Sequence, residues 1–373
     1  MFNLFKEKLI KQGSPYFFNH KAMIFHLAFT NICNQKCPYC TEGNFSENKI
    51  ILDPTRKEDM IGAIDKIFDA YDETYELGFI LVGGEPTMQD CFVDVVNKIK
   101  TRKNAYMVLT TNFTQSVEYY RNLDIPLITS MHLEFHEPKD WFEKTLELRD
   151  LILETRIMAH PKKMDKVKEA YELFNNASEK YSLSFSVERI DPVEIEGKNG
   201  TTITYEPKYK QEDIDWIKNH LTVRRELPQS LKEKSGFMSD IFYGATWQYS
   251  DGTEKKLQFE ENKFKGWYCD RNFLFMYSDG RMIYGWSCES STHNLFKEDC
   301  FPKKEVGPLI CNRDKCPMSF AMLAPKYKSL KDAPKYYDKE ELKNSFKVIE
   351  SKSKNNQLNR IFRLVKLIIN LYF

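Results

Sequence analysis

The sequence predicts an α/β fold built on parallel strands. Between Ala22 and Glu188, short apolar runs alternate with stretches in which apolar residues recur every three or four positions. Each such stretch is long enough for one crossover helix, which parallel pairing requires. Six strand–helix units of this kind suit a partial (β/α)6 TIM-like barrel. Hydrophobic residues at 42% and aromatics at 14% supply a sizeable core. A small hairpin-containing, cysteine-rich C-terminal extension follows.

Residues 1–21 read as an N-terminal segment and 22–192 as the barrel. Its strand candidates are Ala22–Thr30, Gly78–Val82, Ala105–Thr110, Leu127–Leu133, Arg156–Ala159 and Ser182–Glu188. Helical periodicity joins them through Met60, Ile61, Ile64, Ile67 and Phe68, through Phe92, Val95, Val96 and Ile99, and through Trp141, Leu146, Leu148 and Leu151. A further helix is expected from Lys162 to Asn176. Over 193–265 the alternation stops. Gly197-Lys198-Asn199-Gly200 and Ser250-Asp251-Gly252-Thr253 each read as a hairpin turn, with a helix near Gln211–Leu221 between them. This bridging region is placed to close over the barrel mouth.

The first strand runs into Cys33-Asn34-Gln35-Lys36-Cys37-Pro38-Tyr39-Cys40, three thiols within eight residues. Three thiolates from one loop can hold three irons of a cubane cluster. Such clusters ordinarily take four cysteines, so the fourth iron is left open to another ligand. A zinc knuckle would need a fourth Cys or His close by, and His26 is the near candidate, inside a predicted strand. Inert buried thiols are the third reading.

The spacing Cys33-x3-Cys37-x2-Cys40, with aromatic Tyr39 before the last cysteine, resembles the signature of the radical S-adenosylmethionine (SAM) superfamily. Gly83-Gly84-Glu85-Pro86-Thr87 resembles its GGEP motif, about 45 residues on. The resemblance implies a [4Fe–4S] cluster on Cys33, Cys37 and Cys40, with SAM chelating the open iron. It also implies cleavage to a 5′-deoxyadenosyl radical that abstracts hydrogen from a C–H bond. Gly83, Gly84, Glu85 and Pro86 would then hold the SAM ammonium, the glycines letting a ligand approach the backbone. At the end of strand three, Thr110-Thr111-Asn112-Phe113 stands where relatives often carry a TNG-like turn; Asn112 is expected to face the ligand, while Phe113 occupies the glycine's place. Ser130 resembles a ribose-contacting position. His132, Glu134 and His136 share one face if extended, and with Arg156, His160, Glu188 and Arg189 they are further rim candidates for substrate binding or proton donation. Cys91 reads as a small buried hydrophobe.

Toward the C-terminus, Cys269 and Cys288 flank a hairpin turning at Asp279-Gly280, which would set Ser278 opposite Arg281 and bring the two thiols together. Cys311-x4-Cys316 completes a four-thiolate set, with Cys300 spare. Hairpin and cysteine loop over 266–325 resemble a SPASM or twitch extension. This implies a second [4Fe–4S] cluster, and a closed zinc site is the alternative. The tail, 326–373, carries eight Lys/Arg against four Asp/Glu from Asp338 on, with Leu358, Ile361, Leu364, Val365, Ile368 and Leu371 at helical spacing. It reads as a basic amphipathic helix for a membrane surface, a partner or the barrel wall.

A net charge of +1 gives no global field for nucleic acid. No signal-peptide pattern and no run of 18 apolar residues are present, so a cytoplasmic protein is expected, its nine cysteines serving as ligands or thiols. The expected activity is oxidative modification of a peptide or small molecule, with flavodoxin or ferredoxin as reductant. A sugar or metabolite epimerase or dehydrogenase, and a non-catalytic iron–sulfur or zinc protein, are the alternatives.

Overall fold

The computed structural model describes residues 9–40, 56–196, 201–242, 246–249, 254–256, 263–270, 272–284, 289–302, 309–311, 314, 316 and 323–333. The chain divides into two compact units, one of Met1–His20, Gly244–Arg271 and Gly307–Phe373, the other of Lys21–Tyr243 and Asn272–Val306.

The larger unit holds the predicted barrel. Its strands are β1 (Ala22–Ala28), β2 (Glu76–Val82), β3 (Ala105–Thr111), β4 (Leu127–His132), β5 (Ile152–Ala159) and β6 (Phe185–Arg189), paired in parallel in that order. Between them run α1 (Lys57–Ala70), α2 (Phe92–Lys100), α3 (Val117–Leu123), α4 (Pro138–Glu147) and α5 (Met164–Tyr181). Strands covered on both faces need apolar residues throughout, and β1, AMIFHLA, is buried at every position. Met23, Phe25, Leu27 and Phe29 pack toward the helices, together with Leu77, Phe79 and Leu81 of β2. By the two-residue period of a strand, Ile24 and His26 therefore face the lumen, as do Ser130 and His132 of β4 and Arg156 and Met158 of β5. The Arg156 charge is felt at His26, which burial already holds down to about 3.

Helix α2 shows how the pattern becomes packing: Phe92, Val95, Val96 and Ile99, spaced to fall on one stripe, are its buried residues. Cys91, just before them, is buried in the same core, as expected. Two boundaries differ from the sequence reading. Helix α4 stops at Glu147, so Leu148 and Leu151 enter the core from the turn beyond it, and β5 begins at Ile152, four residues early. Helix α5 runs on to Tyr181 and ends with Ser182 in left-handed conformation, φ +53°, so β6 starts at Phe185.

The sheet extends beyond six strands. Thr222–Val223 pairs antiparallel with β6. Phe273–Met276 lies parallel to β1 on its free side, and the hairpin continues antiparallel through Arg281–Tyr284 to Glu289–Asn294. The hairpin loop is one residue longer than expected: Met276 pairs with Met282 and the Tyr277 N–H donates to the Arg281 carbonyl at 2.9 Å, so Tyr277, not Ser278, stands opposite Arg281. Gly280, at φ +81°, supplies the left-handed residue such a three-residue loop needs. In the bridging stretch, Val193–Glu196 pairs with Thr202–Tyr205 and a helix spans Gln211–Asn219.

The smaller unit has a six-stranded sheet in the order Glu254–Lys256, Thr246–Tyr249, Leu9–Gly13, Lys326–Tyr327, Tyr268–Cys269, Leu309–Ile310. Among the described residues no helix is long and apolar enough to cross a membrane. The tail's amphipathic stretch lies outside them.

Candidate functional site

The cysteine loop leaves the C-terminal end of β1, the end at which parallel barrels carry their chemistry. Its first residues are clamped to the end of β2. The Gly84 N–H donates to the Thr30 carbonyl at 2.6 Å, and the Glu85 N–H donates to that of Ile32 at 2.9 Å. A Cβ on Gly83 would stand 2.5 Å from the Thr30 oxygen, and one on Gly84 2.1 Å from the Ile32 oxygen. Gly83 also holds φ +141°. The two glycines are thus required by backbone packing against the cysteine loop.

Glu85 is fully buried, and both its oxygens are engaged. Oε1 accepts from the Thr87 hydroxyl (2.6 Å), the Thr87 N–H (3.3 Å) and the Thr111 hydroxyl (2.9 Å); Oε2 accepts from the Asn112 N–H (2.8 Å). Burial nonetheless raises its pKa. It ties the ends of β2 and β3 together and caps the turn Pro86–Met88, which Pro86 opens. Asn112 passes the connection on: its Nδ2 donates to Asn34 Oδ1 at 2.6 Å and lies 3.4 Å from Cys33 Sγ. The residue after it, Phe113, keeps the glycine-like turn at φ +60° despite its side chain. That conformation costs a non-glycine residue about 1–2 kcal/mol. The buried ring offsets it by packing 5.1 Å from Tyr120 and 5.2 Å from Trp141, under Lys144 Nζ at 4.4 Å. Lys144 also donates to the Phe113 carbonyl at 2.6 Å and to that of Gln115, and burial brings its pKa down to about 8.

From the other side the loop is held by β4 and the turn after it. The Tyr39 hydroxyl lies 2.9 Å from His132 Nδ1, and Gln35 Nε2 lies 2.6 Å from His136 Nε2. Burial holds His132 down to about 4, with His136 adding to the effect, so at neutral pH the Tyr39 hydroxyl meets a neutral ring. Burial, then the Lys144 charge, lowers His136 as well. Two of the predicted rim histidines therefore anchor the cysteine loop. His160 accepts from the Lys162 N–H through Nδ1, and its Nε2 lies 3.1 Å from the Tyr205 hydroxyl. Tyr205, from the second strand of the bridging hairpin, and Ile190 pack with Cys37 and Tyr39.

Cys37 is buried and Cys33 and Cys40 are half-buried. Burial raises the Cys37 thiol, followed by the charges of Cys40, Glu134 and Cys33; burial likewise raises Cys33, with Glu85 and Cys40 contributing. The three thiols are thus mutual neighbours, although among the described residues no three Cys, His, Asp or Glu side chains are drawn into a closed ligand set. Three soft thiols on one rim loop fit an iron–sulfur cluster by donor type.

The other candidates divide. Ser130 is half-buried on the lumen face of β4, and Arg156, on the lumen face of β5, lies 3.8 Å from Glu154. Glu188 and Arg189 sit outside the group, bonded locally to Ser186 and Asp191. In the smaller unit, Tyr268–Cys269 pairs with Leu309–Ile310, and the Cys311 N–H donates to the Trp267 carbonyl at 2.7 Å. Cys269 and Cys311 therefore share one face of that pair, diagonally placed. Cys316 is buried, Cys300 exposed, and Cys288 lies outside the described residues. The sequence reading did not single out Asn34, Gln35, Lys144 or Tyr205. Only the polar residues between the cysteines carried a signal, as donors with no other evident task.

Residues 27–177 match the family model of the Radical SAM superfamily, a span from the end of β1 into α5. A domain of that family implies a [4Fe–4S] cluster and SAM. No curated protein matches the chain. Among solved structures, native anSMEcpe with bound AdoMet is similar at 15% identity and TM-score 0.47, covering 74% of this chain and 79% of that one. SuiB of Streptococcus suis bound to S-adenosylmethionine is similar at 14% and 0.45 (75% and 64%), and SuiB bound to precursor peptide SuiA at 14% and 0.44 (75% and 63%).

Gly84→Ala should cost about 2–3 kcal/mol, because the methyl cannot coexist with the Ile32 carbonyl; urea unfolding with iron analysis checks this, and unchanged stability would remove the clamp. His132 binds protons more weakly folded, at about 4, than unfolded, at 6.5. Its contribution is full above pH 6.5 and is lost as pH falls through 4, in total roughly 3 kcal/mol. Denaturation between pH 7 and 4 should show that slope, and His132→Gln should flatten it.

Proposed function

We propose that the chain is a radical SAM enzyme whose Cys33, Cys37 and Cys40 hold a [4Fe–4S] cluster, with SAM bound at its open iron. The observation that carries this reading is the set of three neighbouring thiols on the loop after β1, clamped to the glycine–glutamate segment of β2 within a radical SAM domain. When bound, cluster and SAM supply a 5′-deoxyadenosyl radical by reductive cleavage of the sulfonium. The chain's residues orient and enclose. Gly83, Gly84, Glu85 and Pro86 fix the loop's entry and hold the SAM ammonium, and Asn112 meets the loop at Cys33 and stands beside the ligand. Ser130 faces the lumen where a ribose would lie. Tyr205, packed on Tyr39, helps keep water from the thiols.

The substrate is a peptide or a small molecule that loses hydrogen from carbon, with flavodoxin or ferredoxin as electron donor. A second site on Cys269, Cys311 and Cys316 takes another [4Fe–4S] cluster, with zinc as the alternative, and favours net oxidation by accepting an electron from the substrate radical. The reaction is set in the cytoplasm.

Anaerobic reconstitution tests both sites. Dithionite and SAM should yield 5′-deoxyadenosine from the wild type and only background from Cys40→Ala. Iron should fall from about eight to about four per chain in Cys311→Ala with Cys316→Ala, from cubane stoichiometry. No 5′-deoxyadenosine from the wild type would defeat the enzyme reading; unchanged iron with bound zinc would defeat the second cluster.

A further inference from the structure

The bridging hairpin ends in an open sheet edge beside the cysteine loop. Among the described residues, Val193–Glu196 and Thr202–Tyr205 pair only with each other, as a sheet of two strands. No backbone group of Thr202–Tyr205 bonds to another described residue outside that pair. Each strand of an antiparallel pair turns the N–H and C=O of every second residue away from its partner, so each outer edge presents main-chain donors and acceptors to solvent. The two edges are not alike. Val193–Glu196 follows Pro192 and carries Glu194 and Glu196, a composition that deters further pairing. Thr202-Ile203-Thr204-Tyr205 has neither charge nor proline and consists of residues that favour strands. Elsewhere the described sheets end on the two-residue strands Thr222–Val223 and Leu309–Ile310, on Glu254–Lys256, charged throughout, or on Glu289–Asn294, which opens with a glutamate.

Position singles out the same edge. The hairpin is fixed at its root, where the Tyr209 hydroxyl accepts from the Ile190 N–H at 2.9 Å and donates to the Ala159 carbonyl at 2.7 Å. Tyr205, the last residue of the open strand, sets its ring 5.8 Å from that of Tyr39 and its hydroxyl 3.1 Å from His160 Nε2. Along that strand Thr202 and Thr204 are exposed while Ile203 and Tyr205 are half-buried, so the latter two share the face turned to the barrel. A strand laid on this edge would run about 4.8 Å to its side. Its residue beside Tyr205 would come level with the cysteine loop. Because the edge is held in place before anything binds, the cost of ordering falls on the incoming chain alone.

We propose that Thr202–Tyr205 receives an extended peptide as a third strand, which leads one of its residues to the cysteine loop. The occupant is a peptide because the edge offers main-chain donors and acceptors with no charged side chain among them, and their complement is another extended main chain. What then happens to the delivered residue rests on the radical SAM reading, whose substrate this narrows to a peptide. The docking itself needs neither cluster nor SAM.

The full-length protein, reconstituted anaerobically, is followed by residue-resolved hydrogen exchange with the octapeptide KTVTVTVK, acetylated and amidated. Its analogue N-methylated at every internal residue keeps the side chains but has no donors there. Alternate amides of Thr202–Tyr205, those on the open edge, should exchange freely alone and become saturably protected by the probe. The methylated analogue should bind at least about tenfold more weakly, as loss of two or more backbone hydrogen bonds requires. Of Ile203→Pro and Thr204→Pro, one removes an N–H of the hairpin ladder and the other an N–H of the open edge. The variant that keeps the wild-type thermal midpoint should lose the probe; if both prolines disrupt the hairpin, the methylated analogue still decides. Equal binding of probe and analogue overturns the proposal, as does absence of protection at millimolar probe. Edge amides already protected without peptide overturn it too: protection that grows with protein concentration gives the edge to a second copy, and protection indifferent to concentration gives it to this chain itself. If the edge takes the probe but SAM yields no 5′-deoxyadenosine, the radical SAM reading fails and the docking stands. 5′-Deoxyadenosine from a chain whose edge ignores the probe sinks only the docking.

Discussion

Two backbone hydrogen bonds, from the Gly84 and Glu85 N–H groups to the Thr30 and Ile32 carbonyls, fix where the cysteine loop begins. They form only because residues 83 and 84 lack side chains, so main chain can lie against main chain. Everything further along the loop inherits that placement. Glu85, turned inward by the same contact, collects four donors and joins the ends of β2 and β3. Asn112 then reaches from β3 to Cys33 and Asn34. The loop is therefore held by strand ends of the parallel sheet instead of by its own short sequence.

The opposite side of the loop is held by side chains that could equally have served as catalysts. His132 and His136 are neutral, bonded to Tyr39 and Gln35, and set the loop against β4. Phe113 holds a strained turn because two aromatic neighbours and the Lys144 amine leave its ring nowhere else to go. A glycine would adopt the turn without strain but would leave that pocket empty. The two ways of reaching the same backbone shape trade conformational ease against packing.

The barrel was legible because strands covered on both faces and helices covered on one leave different periodicities, and the two alternate from Ala22 to Glu188. The cysteine triplet and glycine pair were legible as local patterns. What could not be read was which groups end up bonded to which. Glu85 looked like an open acceptor because its donors, Thr111 and Asn112, come from a strand 26 residues later. Tyr205 reaches Tyr39 through a hairpin whose sequence says only that it turns. Helix α4 was read too long because Leu148 and Leu151 are apolar at the right interval, although they enter the core from a turn. The chain between Asn272 and Tyr284 announced a hairpin but not its neighbour, since a strand's partner is set by the sheet edge that remains free.

That neighbour has a consequence for synthesis. Strand β1, buried at all seven positions, is flanked on one side by β2 and on the other by Phe273–Met276. During translation Val82 emerges long before Met276. At roughly 5–20 residues per second the interval is about 10–40 seconds. Throughout it the nascent barrel presents an unpaired, largely apolar strand edge, the kind of surface that recruits chaperones or other chains. The stem of the cysteine loop is thus made well before the strand that seals it.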